Sequence, residues 1–125
     1  MIDIIIYKTE KEEMSLEHLY TVEGYATYAI NVKSNMFAGG YNFCIPVEKV
    51  QQYVNEINSI LYNLAGNLHL EDYDSDAYVE FLFVDKSKFE VKGQIGASYT
   101  GQMLKFEFEA DQTILIGLKR NLLEY

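Results

Sequence analysis

Tryptophan is absent from this 125-residue chain, and cysteine and proline occur once each. A lone Cys44 excludes an internal disulfide framework, and its setting between Phe43 and Ile45 suggests a small core hydrophobe in a reducing, cytoplasmic compartment. Bases are scarce: ten Lys and Arg stand against 19 Asp and Glu, a formal net charge of -9. Such a surface repels phosphate backbones and anionic lipid, so charge argues against nucleic acid and membrane and favours a basic protein as partner. Long apolar runs are missing too. Crossing a bilayer takes about 20 such residues, and the start MIDIIIYK lacks the basic lead of a secretory signal. No repeat, low-complexity segment or linker interrupts residues 1–125, which read as one domain.

Aromatic side chains are plentiful, with 11 Tyr and 7 Phe, and a hydrophobic share of 49% places the chain outside the disordered class. Period-two patterning dominates the first 45 residues. Ile2, Ile4 and Ile6 share one face; Tyr20, Val22, Ala26, Tyr28, Ile30 and Val32 share another, with Gly24 as a bulge. Turn chemistry at Lys33-Ser34-Asn35 leads into a strand with Tyr41, Phe43 and Ile45 inward, and Gly39-Gly40 lets that strand bend. The period then changes. Val50, Tyr53, Val54, Ile57, Ile60, Leu61 and Leu64 form a helical stripe that predicts a helix over about 47–65, with Pro46 at its start and Gly66 as its stop. After an acidic connector, a meander of strands is expected at about 77–84, 88–99 and 102–110. Its turns fall at Asp85-Lys86-Ser87 and Thr100-Gly101. Residues 78–84 are apolar on both faces and read as a central, covered strand. Asp111 caps a short helix over about 112–123. The expected class is α+β: a mainly antiparallel sheet of about six strands packed by one long and one short helix.

Chemistry-bearing motifs are few. Asp72, Asp74 and Asp76 alternate as at the start of a calcium loop, but Ala77 stands where that loop needs Gly and Phe83 where it needs a bidentate Glu. No metal or cofactor is therefore expected. His18 and His69 sit in no acid/base motif, and Glu107 with Glu109 on one strand face reads as solvent side rather than as a two-carboxylate glycosidase pair. Gly93-Gln94-Ile95-Gly96 interrupts a strand instead of opening a helix, which excludes a phosphate-binding loop. A non-enzymatic role follows. The densest acidic segment offers a contact surface for a basic partner at Glu71, Asp72, Tyr73, Asp74, Asp76 and Tyr78, with Glu10, Glu12, Glu13 and Glu17 as the second choice. On this reading, neutralising the three aspartates together slows association and leaves folding intact.

The pattern Gly93-x-Ile95-Gly96, Phe106-x-Phe108, Asp111-Gln112-Thr113-x-Leu115 resembles the end of small bacterial WapI-type immunity proteins, over about residues 88–118. That resemblance implies a cytosolic protein that binds and neutralises a polymorphic or contact-delivered toxin domain. It supplies no catalytic residue, and the matched positions read as fold determinants. The rival reading is a small structural domain that homo-oligomerises through its apolar-rich strands.

Overall fold

The computed structural model describes residues 3–86 and 88–125. Its class is α+β: two antiparallel four-stranded meanders and two α-helices. The first sheet comprises β1 (Ile5–Lys8), β2 (Glu12–Val22), β3 (Tyr25–Ser34) and β4 (Phe37–Pro46), in that spatial order. Helix α1 (Val47–Asn63) carries the chain to the second sheet, β5 (Asn67–Glu71), β6 (Tyr78–Asp85), β7 (Lys88–Ile95) and β8 (Leu104–Asp111); α2 (Thr113–Leu122) closes the fold. Strands β3 and β4 face β7 and β8, while α2 packs on β1, β2 and α1. Between these layers lies one core, with Tyr28, Phe43, Ile57, Phe81 and Leu118 among its fully buried members.

Eight strands in two sheets replace the expected six in one. The segment taken as an acidic connector contains β5, whose Leu68 and Leu70 are buried between exposed Asn67, His69 and Glu71. That alternation is legible but short, and the acidic run after it draws attention away. Strand β2 was hidden behind the charged stretch at 8–13, although Met14 and Leu16 alternate inward within it.

Residues Glu23 and Gly24 form a two-residue hairpin turn, both at positive φ (50° and 84°), rather than a strand with a bulge. Such a turn reverses parity. Val22 pairs with Tyr25, so Tyr20 and Val22 join Tyr25 on the outer face, opposite buried Ala26, Tyr28 and Ile30. The bulge lies at Leu19 instead. The next turn is Asn35-Met36, one residue later than expected, with Asn35 in the left-handed region. Gly39 serves approach rather than bending: β3 and β4 pair without a register shift, and a Cβ at Gly39 would meet Leu104 at 3.3 Å. Strand β7 ends at Ile95 because Gly96 turns to φ 97°, and Tyr99, expected inward, is exposed on a 3-10 turn at Ser98–Thr100. Central β6 is covered on one face by Val79 and Phe81, but Tyr78, Glu80 and Leu82 are only half-buried on the other. Ile2 and Ser87 lie outside the described residues; Ile4 is exposed and Ile6 buried.

Helix α1 ends three turns of side chains after Val50, with Leu64 rather than Gly66 adopting the left-handed cap and donating its N–H to the Ile60 carbonyl. Asp111 holds the entry to α2: its Oδ1 accepts from the Thr113 N–H at 2.9 Å. The exit is held by side chains. Buried Asn121 donates from Nδ2 to the Asp3 and Leu16 carbonyls, both at 2.9 Å, and the Tyr28 hydroxyl donates to the Leu122 carbonyl at 2.6 Å.

Helix α2 lies so close to β1 that a Cβ on Gly117 would meet Ile6 Cα and Cβ at 2.9 Å. Alanine is favoured over glycine inside a helix by about 0.5–1 kcal/mol, while overpacking a tight core costs about 1–3 kcal/mol. Because the opposing atoms include backbone, the second effect wins. Gly117→Ala should lower the urea midpoint, by about 1–2 kcal/mol of stability; a rise in the midpoint would refute this packing account.

Candidate binding surface

Asp72 is a buried carboxylate, not an exposed contact. Its Oδ1 accepts from the Cys44 N–H at 2.8 Å and the Asp74 N–H at 3.3 Å; its Oδ2 accepts from Ser75 Oγ at 2.6 Å. The Asp72 N–H donates to the Ala77 carbonyl at 3.1 Å, closing residues 72–77 on themselves, and the Tyr73 N–H donates to the Cys44 carbonyl at 2.8 Å. Both backbone groups of Cys44 are thus engaged. The connection after β5 lies along the end of β4 as an added strand residue would, joining the second sheet to the edge of the first.

Asp76 is committed as well. Its Oδ1 accepts from Gln94 Nε2 at 3.1 Å and from the Ser98 N–H at 3.0 Å, and Ser98 Oγ bonds its other oxygen. The Ser98 hydroxyl and N–H hold the Asp76 carboxyl below its ordinary value, against a smaller opposing effect of burial. The segment that bears Tyr99 is thereby fixed against the 72–77 connection.

Three of the six expected contact residues stay together at this junction, namely Asp72, Tyr73 and Asp74, with Asp76 behind them. Glu71 lines the adjoining cavity with Asp72 and Tyr73, but its carboxylate, like Tyr78, is turned toward His69. Glu71 and Tyr78 are register partners on the outer face of the second sheet, where His69 lies 3.3 Å from Glu71 and 3.4 Å from Glu80 and stacks on Tyr78 at 5.1 Å. Of the five acids between residues 71 and 80, only Asp74 has neither a backbone donor nor an imidazole beside it among the described residues; its carboxylate faces the Cys44 thiol. The second-choice run divides too. Glu13 pairs with Lys8 at 3.4 Å, Glu12 accepts from Ser34 Oγ at 3.5 Å, Glu10 is exposed at a turn, and Glu17 lines a cavity of about 680 Å³ with Asp3 and Glu124.

Residues that sequence reasoning passed over complete the surface. Tyr25 meets Tyr73 with ring centroids 5.5 Å apart, and its hydroxyl is pushed above the ordinary range, first by its bond with and proximity to the Tyr73 hydroxyl, then by burial, and less by the Glu48 carboxylate. On the other side Tyr99 meets Tyr41, whose proximity raises the Tyr99 hydroxyl first; Asp72 and Asp74 add to the rise. Burial, then Asp74 and Asp72, push up the Cys44 thiol. Two tyrosine pairs, Tyr25 with Tyr73 and Tyr99 with Tyr41, therefore lie at this junction, and the Asp74 carboxylate acts on both Tyr99 and Cys44. Lys49 is the one base on the adjoining cavity of about 230 Å³, which is lined by Glu48, Tyr53, Asp72 and Tyr73. The abundance of tyrosine was the only sequence signal for this, since the four come from β3, β4 and two connections.

Cys44 is half-buried on the outer face, not in the core, because its apolar neighbours Phe43 and Ile45 point the other way along the strand. His18 pairs with Tyr28 and shares the inner face, so Cys44 and His18 lie on opposite sides of the first sheet. Among the described residues no three His, Cys, Asp or Glu side chains converge as a metal site, and no helix is long and apolar enough to cross a membrane. Glu107 and Glu109 share a row with Lys88 and Lys92, and Glu90 is raised by its bond with Glu107, as on a wet strand face.

Neutralising all three aspartates would therefore not leave folding intact. Asp72→Ala strips the buried Cys44 N–H of its acceptor and should cost about 2–4 kcal/mol, whereas Asp74→Ala should stay within about 0.5 kcal/mol, both read by urea unfolding. Since the folded pKa of Asp76 lies below its unfolded value, its contribution is complete above the ordinary carboxylate range and is lost as pH falls through the folded value. Asp76→Asn should flatten the acid limb of the stability–pH curve; an unchanged limb would count against this bond set. Compared with known proteins, the chain matches no protein-family model, no curated protein and no solved structure.

Proposed function

We propose that this chain is a cytoplasmic, non-enzymatic immunity protein that binds a basic toxin domain in equimolar amount and neutralises it by occlusion. The observation that carries this reading is the junction, where Tyr25 meets Tyr73 and Tyr99 meets Tyr41, Asp74 follows Tyr73 and lies within electrostatic reach of Tyr99, and Asp72 and Asp76 hold the connection in place. Rigid aromatic side chains supply contact area at low entropic cost, and a carboxylate among them steers cationic surface into register. A toxin acting on nucleic acid must present a basic cleft to phosphate, and a net charge of -9 complements it. The resemblance to WapI-type immunity proteins supports the same class. Its matched residues sit in the scaffold: a Cβ on Gly93 would meet the Tyr78 carbonyl, Phe106 and Phe108 are buried, and Asp111, one residue before the Gln112 cap position, accepts from the Thr113 N–H at the start of α2. A homo-oligomeric role is favoured by a different surface, the free part of β4.

Co-expression with the toxin module encoded beside it should rescue growth, and the purified pair should bind at one to one. Tyr73→Ala and Tyr25→Ala should each weaken the complex by about 1–3 kcal/mol, mostly through faster dissociation. Asp74→Ala should slow association and flatten its decline with salt. Continued killing in the presence of folded protein would sink the proposal, and binding indifferent to all three substitutions would remove this surface from it.

A further inference from the structure

Each sheet has two edge strands, β1 and β4 in the first and β5 and β8 in the second. Natural edges are blunted by charge, bulges, proline or brevity, because unpaired backbone groups template association. Three of the four obey. β1 has four residues and a register shift, β5 carries Glu71, and β8 carries Lys105, Glu107, Glu109 and Asp111. β4 does so only at its last residue, Pro46: it runs ten residues with no register shift, no charged residue occurs from Met36 to Val47, and nothing blunts the edge from Phe37 to Ile45.

The backbone of Cys44 points away from β3, toward Asp72 and Tyr73. By the two-residue alternation of a strand, Ala38, Gly40 and Asn42 direct their N–H and C=O groups the same way. Among the described residues nothing bonds them. The Tyr73 N–H on the Cys44 carbonyl demonstrates that this edge accepts an added segment where one is supplied. The open window ends at the Asp72 clamp on one side and at exposed Met36 and Phe37 (96% and 68% accessible) on the other.

We propose that this edge pairs with the same edge of a second copy, antiparallel about a two-fold axis at Gly40, to give a continuous eight-stranded sheet. The window is symmetric about Gly40. Ala38 then opposes the partner's Asn42, Gly40 opposes the partner's Gly40, and the outward backbone groups of all three positions are satisfied. Cys44, already engaged, would oppose only the partner's Met36 in its turn, so the clamp and the pairing do not compete. On the inner face Gly39, already covered by Leu104 of its own chain, opposes the partner's Tyr41. Charge selects a second copy over a basic peptide: the facing residues are neutral, so two chains of -9 meet where neither carries charge.

This proposal does not rest on toxin binding, although Tyr41 belongs to both regions, and salt separates the two. Screening should strengthen association of two like-charged copies, whereas it weakens an acidic surface on a basic partner. Sedimentation of the full chain across concentration and salt series reads the first. Ala38→Asp with Asn42→Asp sets like charges opposite each other twice and should raise the dissociation constant about tenfold. Ala38→Asp with Asn42→Lys sets opposite charges in the same places and should restore association to the parent level. Both positions are exposed, and circular dichroism checks that the variants fold. A monomer at every concentration and salt, or association that the two variants affect equally, overturns the proposal.

Discussion

The carboxylate of Asp72 is the constraint through which the two sheets become one scaffold. The ladder of the first sheet stops at β4 and that of the second begins at β5, with α1 between them. The Cys44 N–H on the Asp72 carboxylate and the Tyr73 N–H on the Cys44 carbonyl fix the register between the sheets by tying a connection of the second sheet to the backbone of the first, while the Asp74 N–H and Ser75 hydroxyl hold the carboxylate within its own connection. Asp76 repeats the device one strand further on, tying the same connection to Ser98 and Gln94. Both acids give up their role as free charge in doing so.

The consequence is a division of labour inside one short acidic segment. Tyr73 and Asp74 are presented because Asp72 and Asp76 on either side are pinned. Their tyrosine neighbours arrive from β3, from β4 and from the 3-10 turn after β7, which are remote in sequence. The clamp also limits the length of open β4 edge, leaving residues 38–42 unpaired and residue 44 occupied. The surface proposed for a basic partner and the edge proposed to pair with a second copy therefore adjoin at Tyr73, and the two proposals differ in the sign of the expected response to salt.

Much of the fold was legible in local pattern. The stripe from Val50 to Ile60 identified α1, the alternation of Phe106, Phe108 and Ala110 with Lys105, Glu107 and Glu109 identified β8, and Asp111 marked the start of α2. Errors arose where one residue changes the phase. The two-residue turn at Glu23-Gly24 put Tyr20 and Val22 on the wet face, and the bulge at Leu19 broke the alternation that would have revealed β2. Strand β5 spans only five residues, too few for its period to stand out beside the acids that follow.

The candidate surface was half legible. Charge density located the segment 71–78, and nothing in composition distinguishes Asp72, nearly inaccessible, from Asp74, which is exposed. The sequence by itself determined an acidic α+β domain, its two helices and most of its strands, because those depend on periodicity and local capping. Only the tertiary structure decided that the strands form two sheets, that Cys44 faces outward away from His18, and which acids are spent on backbone donors. Those outcomes depend on partners tens of residues apart, where a carboxylate meets an N–H only after two sheets have docked.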